Sequence, residues 1–459
     1  MASIAGALAR IKDDVGPFLS EASILAACRE AGHRWREREL GPVATLHLFV
    51  LQVLNFNTAM THLRHLAGRA VQAPAFCRAR MRLPLGVLAA LLRESASAGA
   101  TTTPGAPPPA AAAGLWCGLR ALLVDGSSTI APDTPPNQEA FGQPAGCKPG
   151  CGFPVPKVLG LFDAFTGLVV ELLTFPLYTH EQSKVWMLHP LLSRGDVLVG
   201  DRGFCSFWHL AMLRAREVMG VFRMHQLQIV DFRPHRKAAG QVGKKRRKGR
   251  PRSRFVRRLG KWDQVVEWAR PKGRPAWMTP GQYRAMPGTL LVRELRYRIA
   301  ANGQRTVCVT VATTLLDPAA YPKEKVAELY GIRWRVERHF AELKTTLRMR
   351  KVKSRTEAGV RKELLVYALV YNLVHAAMCR AASRQRVTPD RVSFVDALRW
   401  LVSAARPDDA RPRPDLLINP HRPGRHEPRA VKDLQDSYTK MAHPRNELRA
   451  AMKKQAKPA

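Results

Sequence analysis

The sequence predicts an α/β fold with a strand-containing core, an all-helical N-terminal domain and a strand-rich insertion. Residues 20–93 place apolar side chains at helical spacing, which is typical of packed amphipathic helices. Short apolar runs at residues 119–124 and 197–199 are typical of buried strands, and residues 208–320 contain further strand-like pieces. The chain has 459 residues, of which 46% are hydrophobic, so several domains around at least one sizeable core are expected.

The N-terminal domain, residues 1–96, is expected to be a small helical module with a basic face. Helices are predicted at residues 20–31, 43–54, 60–68 and 85–94. The basic side chains between them are Arg34, Arg36, Arg38, Arg64, Arg78, Arg80 and Arg82. We interpret this module as a DNA-binding domain, and a plain packing domain is the alternative.

A linker at residues 97–114, rich in Ala, Pro, Thr and Gly, separates this module from a core segment at residues 115–207. There the run at 119–124 ends at Asp125, after which the Gly-Ser-Ser sequence is expected to turn the chain. A hairpin is predicted around Thr166 and Gly167, at residues 157–165 and 168–175, and a helix at 180–192. Asp201 follows the run at 197–199, so each aspartate stands at the carboxyl end of a strand.

Residues 208–320 are interpreted as the strand-rich insertion, although residues 211–221 still carry a helical pattern. The strand-like pieces lie at residues 265–269, 289–293, 297–300 and 306–313. A basic run before them begins Lys244, Lys245, Arg246, Arg247. Such a run is a solvated loop or a nucleic-acid contact, and the charge of the whole chain favours DNA contact.

Strongly helical patterns return at residues 322–349 and 359–382, within a second core segment at residues 321–390. Residues 391–459 form a C-terminal region, rich in Pro, Arg and His in its first part. A role in dimerisation is our hypothesis for this region.

The charge balance points to a polyanionic partner. Lys and Arg number 74 against 36 Asp and Glu, a net charge of +38. A surface this positive repels itself unless it meets a polyanion, and DNA or RNA is the commonest one. A genome that favours Arg codons is the alternative cause, and binding to ribosomes or membrane surfaces stays open on charge alone.

Neither a membrane span nor a signal peptide is expected, so the sequence is interpreted as that of a cytoplasmic protein. The apolar stretches at residues 46–54 and 364–378 are too short or too polar to cross a bilayer. Of eight scattered cysteines only Cys147 and Cys151 form a close pair, without the second Cys or His pair of a zinc finger. The cysteines are therefore expected to be reduced thiols.

Four residues of the predicted helix at 322–349 share one narrow stripe. Tyr330, Arg333, Glu337 and Lys344 fall within about 60° of one another at about 100° per residue. Spaced ion pairs on a solvated face would explain such a stripe by itself. Together with Asp125 and Asp201, however, Glu337 would supply the carboxylates that a site for two magnesium ions needs, and Arg333 and Lys344 could hold phosphate.

Other acidic residues of the same region compete for these roles, and none of them is expected to bind the metal directly. The competing residues are Asp133, Asp163, Glu171, Glu181 and Asp196. Asp163 is the strongest rival, but it precedes the hairpin turn and is interpreted as a turn residue. Asp133 lies in a Pro-rich loop.

The motifs resemble the DDE transposases of bacterial insertion sequences, specifically the insertion-sequence-four family. Its signature, Tyr, two residues, Arg, three residues, Glu, six residues, Lys, fits Tyr330, Arg333, Glu337 and Lys344 without a gap. Two further motifs match at Leu122-Leu123-Val124-Asp125-Gly126 and Asp201-Arg202-Gly203-Phe204. The resemblance runs from about residue 20 to residue 430.

This resemblance implies a ribonuclease-H-like catalytic core in two parts and metal-dependent cleavage and strand transfer of DNA. It assigns Asp125, Asp201 and Glu337 as catalytic, metal-binding residues for two Mg2+ ions, which Mn2+ can replace. Tyr330, Arg333 and Lys344 would hold DNA near the cut, with Arg202 as a further DNA-binding candidate. The implied partners are double-stranded DNA, both terminal inverted repeats and target, and a second copy in a homodimer.

Three points stay open from the sequence. A ribonuclease-H-like host nuclease and a non-catalytic DNA-binding regulator are the alternative functions. Relatives that flip a base onto an aromatic ring place a Trp in the insertion, but nothing selects among Trp262, Trp268 and Trp277, and each is expected to be a core residue. The family usually has a basic run after a Glu-Pro-Arg motif, which here is Glu427-Pro428-Arg429. The sequence that follows it here is mixed in charge, so DNA contacts of the tail stay undecided.

The location is expected to be the nucleoid of a prokaryote.

Overall fold

The computed structural model describes a mixed α/β protein with one large sheet and helices before and after it. The described residues are 19–67, 71–100, 115–233, 253–299, 307–402, 415–420 and 443–455. The basic run with Lys244, Lys245, Arg246 and Arg247 lies outside these ranges, as do Glu427, Pro428 and Arg429.

The N-terminal region is helical, as predicted. Its helices are α1 (Glu21–Glu30), α2 (Pro42–Leu54), α3 (Leu63–Ala67), α4 (Ala73–Arg82) and α5 (Leu85–Ala100). The hydroxyl of Ser20 accepts a hydrogen bond from the Ser23 N–H and so begins α1, and Pro42 begins α2, where its missing N–H costs nothing.

Helix α5 does not end before residue 97, where the linker was predicted to start. It continues to Ala100, because the sequence after Glu94 contains alanines and no proline before Pro104. The start of the linker, predicted at residue 97 from composition, was therefore placed too early.

The sheet is built from strands on both sides of the predicted insertion boundary. Its strands are β1 (Leu115–Trp116), β2 (Leu119–Ser128), β3 (Lys157–Asp163), β4 (Val169–Phe175), β5 (Val197–Gly200), β6 (Met219–Arg223), β7 (Arg254–Gly260), β8 (Asp263–Ala269), β9 (Thr289–Ile299) and β10 (Val307–Thr313). The strand order is β4-β3-β2-β5-β6-β10-β9-β8-β7, with β1 on β2. Strand β2 is antiparallel to β3 and parallel to β5, which is parallel to β6.

Strand β2 is longer than its apolar run, and the turn predicted after Asp125 is wrong. Asp125 pairs with Gly160 and Ser128 with Lys157 in the ladder to β3. Backbone pairing with β3 therefore extends the strand through polar residues that, by composition, suggested a turn.

The sheet also continues past residue 208. Helix α6 (Pro135–Phe141) lies before β3, and helix α7 (Phe207–Arg214) ends seven residues before the end of the predicted helix at 211–221. Strand β6 begins at Met219 and pairs with β5, so the core extends beyond the predicted boundary. The predicted helix at 180–192 is instead two 3-10 segments, Glu181–Ser183 and Val185–Leu191, the second of which contains Pro190.

Two of the predicted strand pieces, 289–293 and 297–300, belong to the single strand β9. The polar residues between them suggested a break, but they are satisfied within the sheet. Arg293 is fully buried and donates to Asp263 at 2.5 and 2.9 Å, and Glu294 accepts from Gln264 and Trp268. Buried charged residues with partners can continue a strand, so polarity gave a misleading boundary.

The described residues after β10 are mainly helical. Helix α8 (Pro280–Ala285) lies between β8 and β9, and α9 (Lys323–Ile332), α10 (Arg335–Ala341), α11 (Glu357–Arg384), α12 (Phe394–Val402) and α13 (Arg445–Gln455) follow β10. Helix α11 is long and apolar enough to cross a membrane, but 89% of its most apolar window is buried inside the protein. It is the central helix of the hydrophobic core.

Acid should destabilise the fold through two stacked, buried histidines. The rings of His189 and His209 lie 5.0 Å apart, and burial lowers their pKa values to about 2 and about 4. Both bind protons only in the unfolded chain as pH falls from about 6.5 to 4, so stability is complete above that window and is lost within it. The expected loss is up to about 1.4 kcal/mol per pH unit for each histidine.

Urea unfolding at pH 7, 6 and 5 measures this loss. Neither ring nitrogen of His189 has a hydrogen-bond partner among the described residues, so His189→Leu should keep the fold and reduce the pH slope. The exposed His62→Gln variant should keep the wild-type slope, and equal slopes in all three proteins would contradict the assignment.

Candidate active site

Strand pairing brings the two predicted aspartates side by side. In the parallel ladder of β2 and β5, Val124 is the partner of Gly200. The next residues are Asp125 and Asp201, on strands that lie about 4.8 Å apart. Asp125 lies within β2, whereas Asp201 directly follows β5, as predicted.

Backbone N–H groups hold both carboxylates. The N–H of Gly126 donates to Oδ1 of Asp125 at 2.8 Å, and the N–H of Gly203 donates to Oδ1 of Asp201 at 2.7 Å. Burial raises the pKa of Asp125 to about 6, and the charges of Asp201 and Glu181 act in the same direction. The bond from Gly126 and the charge of Arg333 oppose this rise in pKa.

Arg333 connects the strand carboxylate to the third predicted carboxylate. Its Nη1 lies 3.6 Å from Oδ2 of Asp125, and its Nη2 donates to Oε1 of Glu337 at 3.2 Å. The Arg333 side chain is only 8% exposed, whereas that of Glu337 is 49% exposed. Asp125 and Glu337 therefore lie within reach of one guanidinium, with the Glu337 carboxylate open to solvent.

The four-residue stripe is present, but not on the single helix that was predicted. Helix α9 ends at Ile332, α10 starts at Arg335, and a π-helical turn follows at Glu342–Thr346. Arg333 lies over the ring of Tyr330 at 5.8 Å, and Lys344 Nζ donates to Ser127 Oγ at 3.1 Å. The breaks in the helix carry Lys344 onto strand β2, beside the residues that follow Asp125.

The predicted basic and DNA-contacting residues differ in their exposure to solvent. Tyr330 is 3% exposed, so in this conformation its ring is covered. Arg202 is exposed and donates to Gln226 at 3.0 Å. In the N-terminal region Arg80 is buried over the Phe49 ring at 3.6 Å, so it does not belong to an exposed basic face.

Four of the competing carboxylates are engaged elsewhere, as predicted. Asp163 accepts from the Phe165 and Thr166 N–H groups in the hairpin turn, and Asp133 accepts from Gln138. Glu171 and Asp196 are each paired with an arginine at 2.6 Å.

Glu181 is the competitor whose carboxylate lies beside Asp125, although sequence reasoning did not favour it as a metal ligand. A methyl group added at Gly126 would overlap the Glu181 carboxyl group, so this carboxylate occupies the space that the glycine leaves beside Asp125. Burial raises the pKa of Glu181, with a contribution from Asp201. A glycine directly after a strand aspartate was the available signal, but it does not identify the residue that fills the space.

The three tryptophans of the insertion differ in burial and in their contacts. Trp268 is buried and donates to Glu294, as expected of a core residue, and Trp277 is half-buried. Trp262 instead lies in the β7–β8 turn with φ of 58°. Three cations lie within 6 Å of its ring: Lys261, Arg298 and Lys323.

Comparison with known proteins identifies sequence relatives of this chain. A family model described as "Transposase DDE domain" matches residues 116–373. The chain is 24% identical over 286 residues to transposase InsG for insertion sequence element IS4 of Escherichia coli (strain K12), which covers 61% of this chain and 58% of that protein. A cryo-EM structure of a piggyBac transposase synaptic complex with hairpin DNA superposes with a TM-score of 0.42 at 9% identity, over 88% of this chain and 80% of that one, a likeness too distant to decide the fold.

Removal of the Arg333 guanidinium should raise the pKa of Asp125 above about 6, because a neighbouring positive charge favours the ionised carboxyl. Carbon-detected NMR titration of selectively labelled Asp in Arg333→Ala measures the change. Arg202→Ala, which removes an exposed arginine bound to Gln226, serves as the control and should leave the titration unchanged. An Asp125 titration that is the same in wild type and Arg333→Ala would show that the guanidinium does not act on this carboxyl.

Proposed function

Because the chain belongs to the transposase DDE domain family, whose model matches more than half of it, we propose that it is a transposase that cleaves and joins DNA at the ends of an insertion sequence. The observation that carries the proposal is the meeting of Asp125 and Asp201 on parallel strands with Glu337, through Arg333. The net charge of +38 supports a DNA substrate. The relative in Escherichia coli is described as a transposase of an insertion sequence, which supports the same activity.

The proposed core is ribonuclease-H-like. Its support is a sheet in which the antiparallel strands β4, β3 and β2 continue into the parallel strands β5 and β6. Residues 1–96 remain the proposed DNA-binding domain and residues 391–459 the proposed dimerisation region. The insertion would contribute β7 to β10 to the far edge of the same sheet.

The carboxylates suit divalent cations. Asp125 is largely buried next to the like charges of Asp201 and Glu181, and a bound cation would remove their mutual repulsion. Oxygen donors are the ligands that Mg2+ prefers. We assign Asp125, Asp201 and Glu337 as ligands of two Mg2+ ions, which Mn2+ can replace.

When bound, the two ions would activate the attacking oxygen and stabilise the leaving oxygen at phosphorus. In the first step, water bonds to phosphorus and a 3′ oxygen leaves with a proton. In the second step, this 3′-hydroxyl loses its proton, bonds to phosphorus of another strand and displaces a new 3′ oxygen. Arg333 would offer phosphate a planar fork and Lys344 a point charge, while the backbone bonds from Gly126 and Gly203 keep the aspartates in place.

The proposed partners are double-stranded DNA, as terminal inverted repeats and as target, and a second copy of the chain in the DNA complex. Four exposed arginines surround a hollow of about 250 Å³ in the N-terminal region: Arg34, Arg36, Arg38 and Arg82. This hollow supports DNA binding by the N-terminal region. Elsewhere in the chain, the proposed DNA contacts are Tyr330, Arg202 and the run Lys244, Lys245, Arg246, Arg247. The proposed location is the nucleoid of a prokaryote.

Purified protein with Mg2+ should cut and join DNA that carries the ends of its element. Asp201→Ala and Glu337→Gln should abolish detectable cleavage, because each removes a proposed metal ligand. Asp163→Asn removes a carboxylate of the same sheet that only holds a turn, so it should retain activity. Gel analysis of end-labelled DNA measures both steps.

The same assay separates the alternative functions. A host nuclease would cut without regard to the end sequence and would not join strands. A regulator would bind specific DNA without any metal-dependent product, unaffected by Glu337→Gln. Undiminished cleavage by Asp201→Ala would contradict the proposed ligand set.

Glu181 is proposed as a fourth carboxylate of the metal site, because it lies against Gly126 and acts electrostatically on Asp125. Glu181→Gln keeps the shape and removes the charge, so it should weaken Mn2+ binding and slow cleavage. Electron paramagnetic resonance of free Mn2+ measures the affinity, with the exposed Glu139→Gln as the matched control. Equal Mn2+ affinities in the three proteins would exclude Glu181 from the site.

A further inference from the structure

A second group of metal-type ligands lies apart from the carboxylate site, between α10 and α11. His339 and Glu342 come from the end of α10 and the π-helical turn, and His375 comes from the middle of α11. One ligand atom of each lies within 4.8 Å of the others. The side chains of the two histidines are 4% exposed and that of Glu342 is 15% exposed, so the group is built into the interior.

The hydrogen bonds of His375 leave two acceptor atoms facing each other. Its Nδ1 lies 3.0 Å from the carbonyl oxygen of Thr166, which can only accept, so Nδ1 carries the hydrogen. In the neutral ring Nε2 is then a bare lone pair, and it faces Oε2 of Glu342 at 3.4 Å. Two acceptors at this distance require a positive ion between them, either a second proton on the ring or a metal ion.

Tyr371 cannot supply the missing hydrogens. Its hydroxyl lies 2.8 Å from Nδ1 of His339 and 3.1 Å from Oε2 of Glu342, but it has one hydrogen to donate. The remaining nitrogen of His339, Nε2, is buried without a partner among the described residues. With protons alone, the one hydrogen of Tyr371 is shared between two acceptors, and His375 must carry a second proton to face Glu342.

The spacing of the three ligands suits one small ion. Oε2 of Glu342 lies 3.4 Å from Nε2 of His375 and 3.6 Å from Nδ1 of His339, and one ligand atom of each residue lies within 4.8 Å of the others. Ligand bonds of about 2.0–2.1 Å to Zn2+ place tetrahedral donors about 3.3 Å apart. A cavity of about 40 Å³ borders the three ligands, which is room for a water molecule or an ion.

We infer that His339, Glu342 and His375 bind one Zn2+ ion, with the Tyr371 hydroxyl beside the fourth position. Nitrogen and carboxylate donors in a tetrahedral arrangement select zinc among the common divalent ions. The bond from His375 Nδ1 to the Thr166 carbonyl is the outer contact that usually orients a metal-bound histidine. The ion would join the segment that follows Glu337 to α11; this positioning role alone rests on the proposed function, whereas zinc binding does not.

Elemental analysis of the untagged, full-length protein tests the inference. Protein dialysed after exposure to ZnCl2 should hold about one zinc per chain, and Co2+ in its place should give the visible absorption of a tetrahedral site. His375→Ala and Glu342→Gln should lose the zinc, and chelation should lower the Tm of wild type by several degrees. His189→Leu, which changes a buried histidine elsewhere, should keep the zinc.

Asp201→Ala separates this site from the carboxylate site. It should abolish the proposed DNA cleavage and retain the zinc, so failure of one proposal does not imply failure of the other. Wild-type protein without zinc after loading would show that a proton lies between His375 and Glu342, and zinc retained equally by His375→Ala would show that the ion binds elsewhere. Either result would overturn the inference. If His375→Ala does not fold, the Co2+ spectrum of wild type decides, and a spectrum without tetrahedral bands overturns it.

Discussion

The parallel pairing of β2 and β5 is the constraint on which the candidate site depends. It places Val124 opposite Gly200, and thus Asp125 next to Asp201, although 76 positions separate them in sequence (201 − 125). The hydrogen bonds of that pairing join backbone groups only, so the geometry of the pairing is insensitive to most side-chain changes. The same closeness has an electrostatic cost, visible in the raised pKa of Asp125, which makes the site suited to a cation.

The third carboxylate, Glu337, lies in a helical region that is divided into α9, α10 and a π-helical turn. Helix α9 ends at Ile332 and a π-helical turn begins at Glu342; between them Glu337 faces Arg333 four residues earlier, and the turn contains Lys344, which donates to Ser127. Behind this face His339 and Glu342 point into the core and meet α11. One short segment thus serves the carboxylate site on one side and the proposed zinc site on the other.

Helix α11 holds the molecule together across its predicted domains. Buried Asn372 donates to Ser95 of α5 at 2.7 Å and exchanges two bonds of 2.8 Å with the backbone of Val169 in β4. The N-terminal helices therefore share one hydrophobic core with the sheet and α11. Composition could not reveal that the helices before the predicted linker pack against the sheet and α11 after it, because the contacts join residues hundreds of positions apart.

The sequence by itself determined the helical N-terminal region, the hairpin around Gly167, the position of Asp201 after its strand, and the residue types of the carboxylate site, because local periodicity and motif spacing encode these. Only the tertiary structure decided that β2 runs through Asp125, that β9 is one strand, that Glu181 fills the space beside Gly126 and that Arg80 is buried. Each of these features depends on a residue distant in the sequence, and no local pattern records where that residue lies.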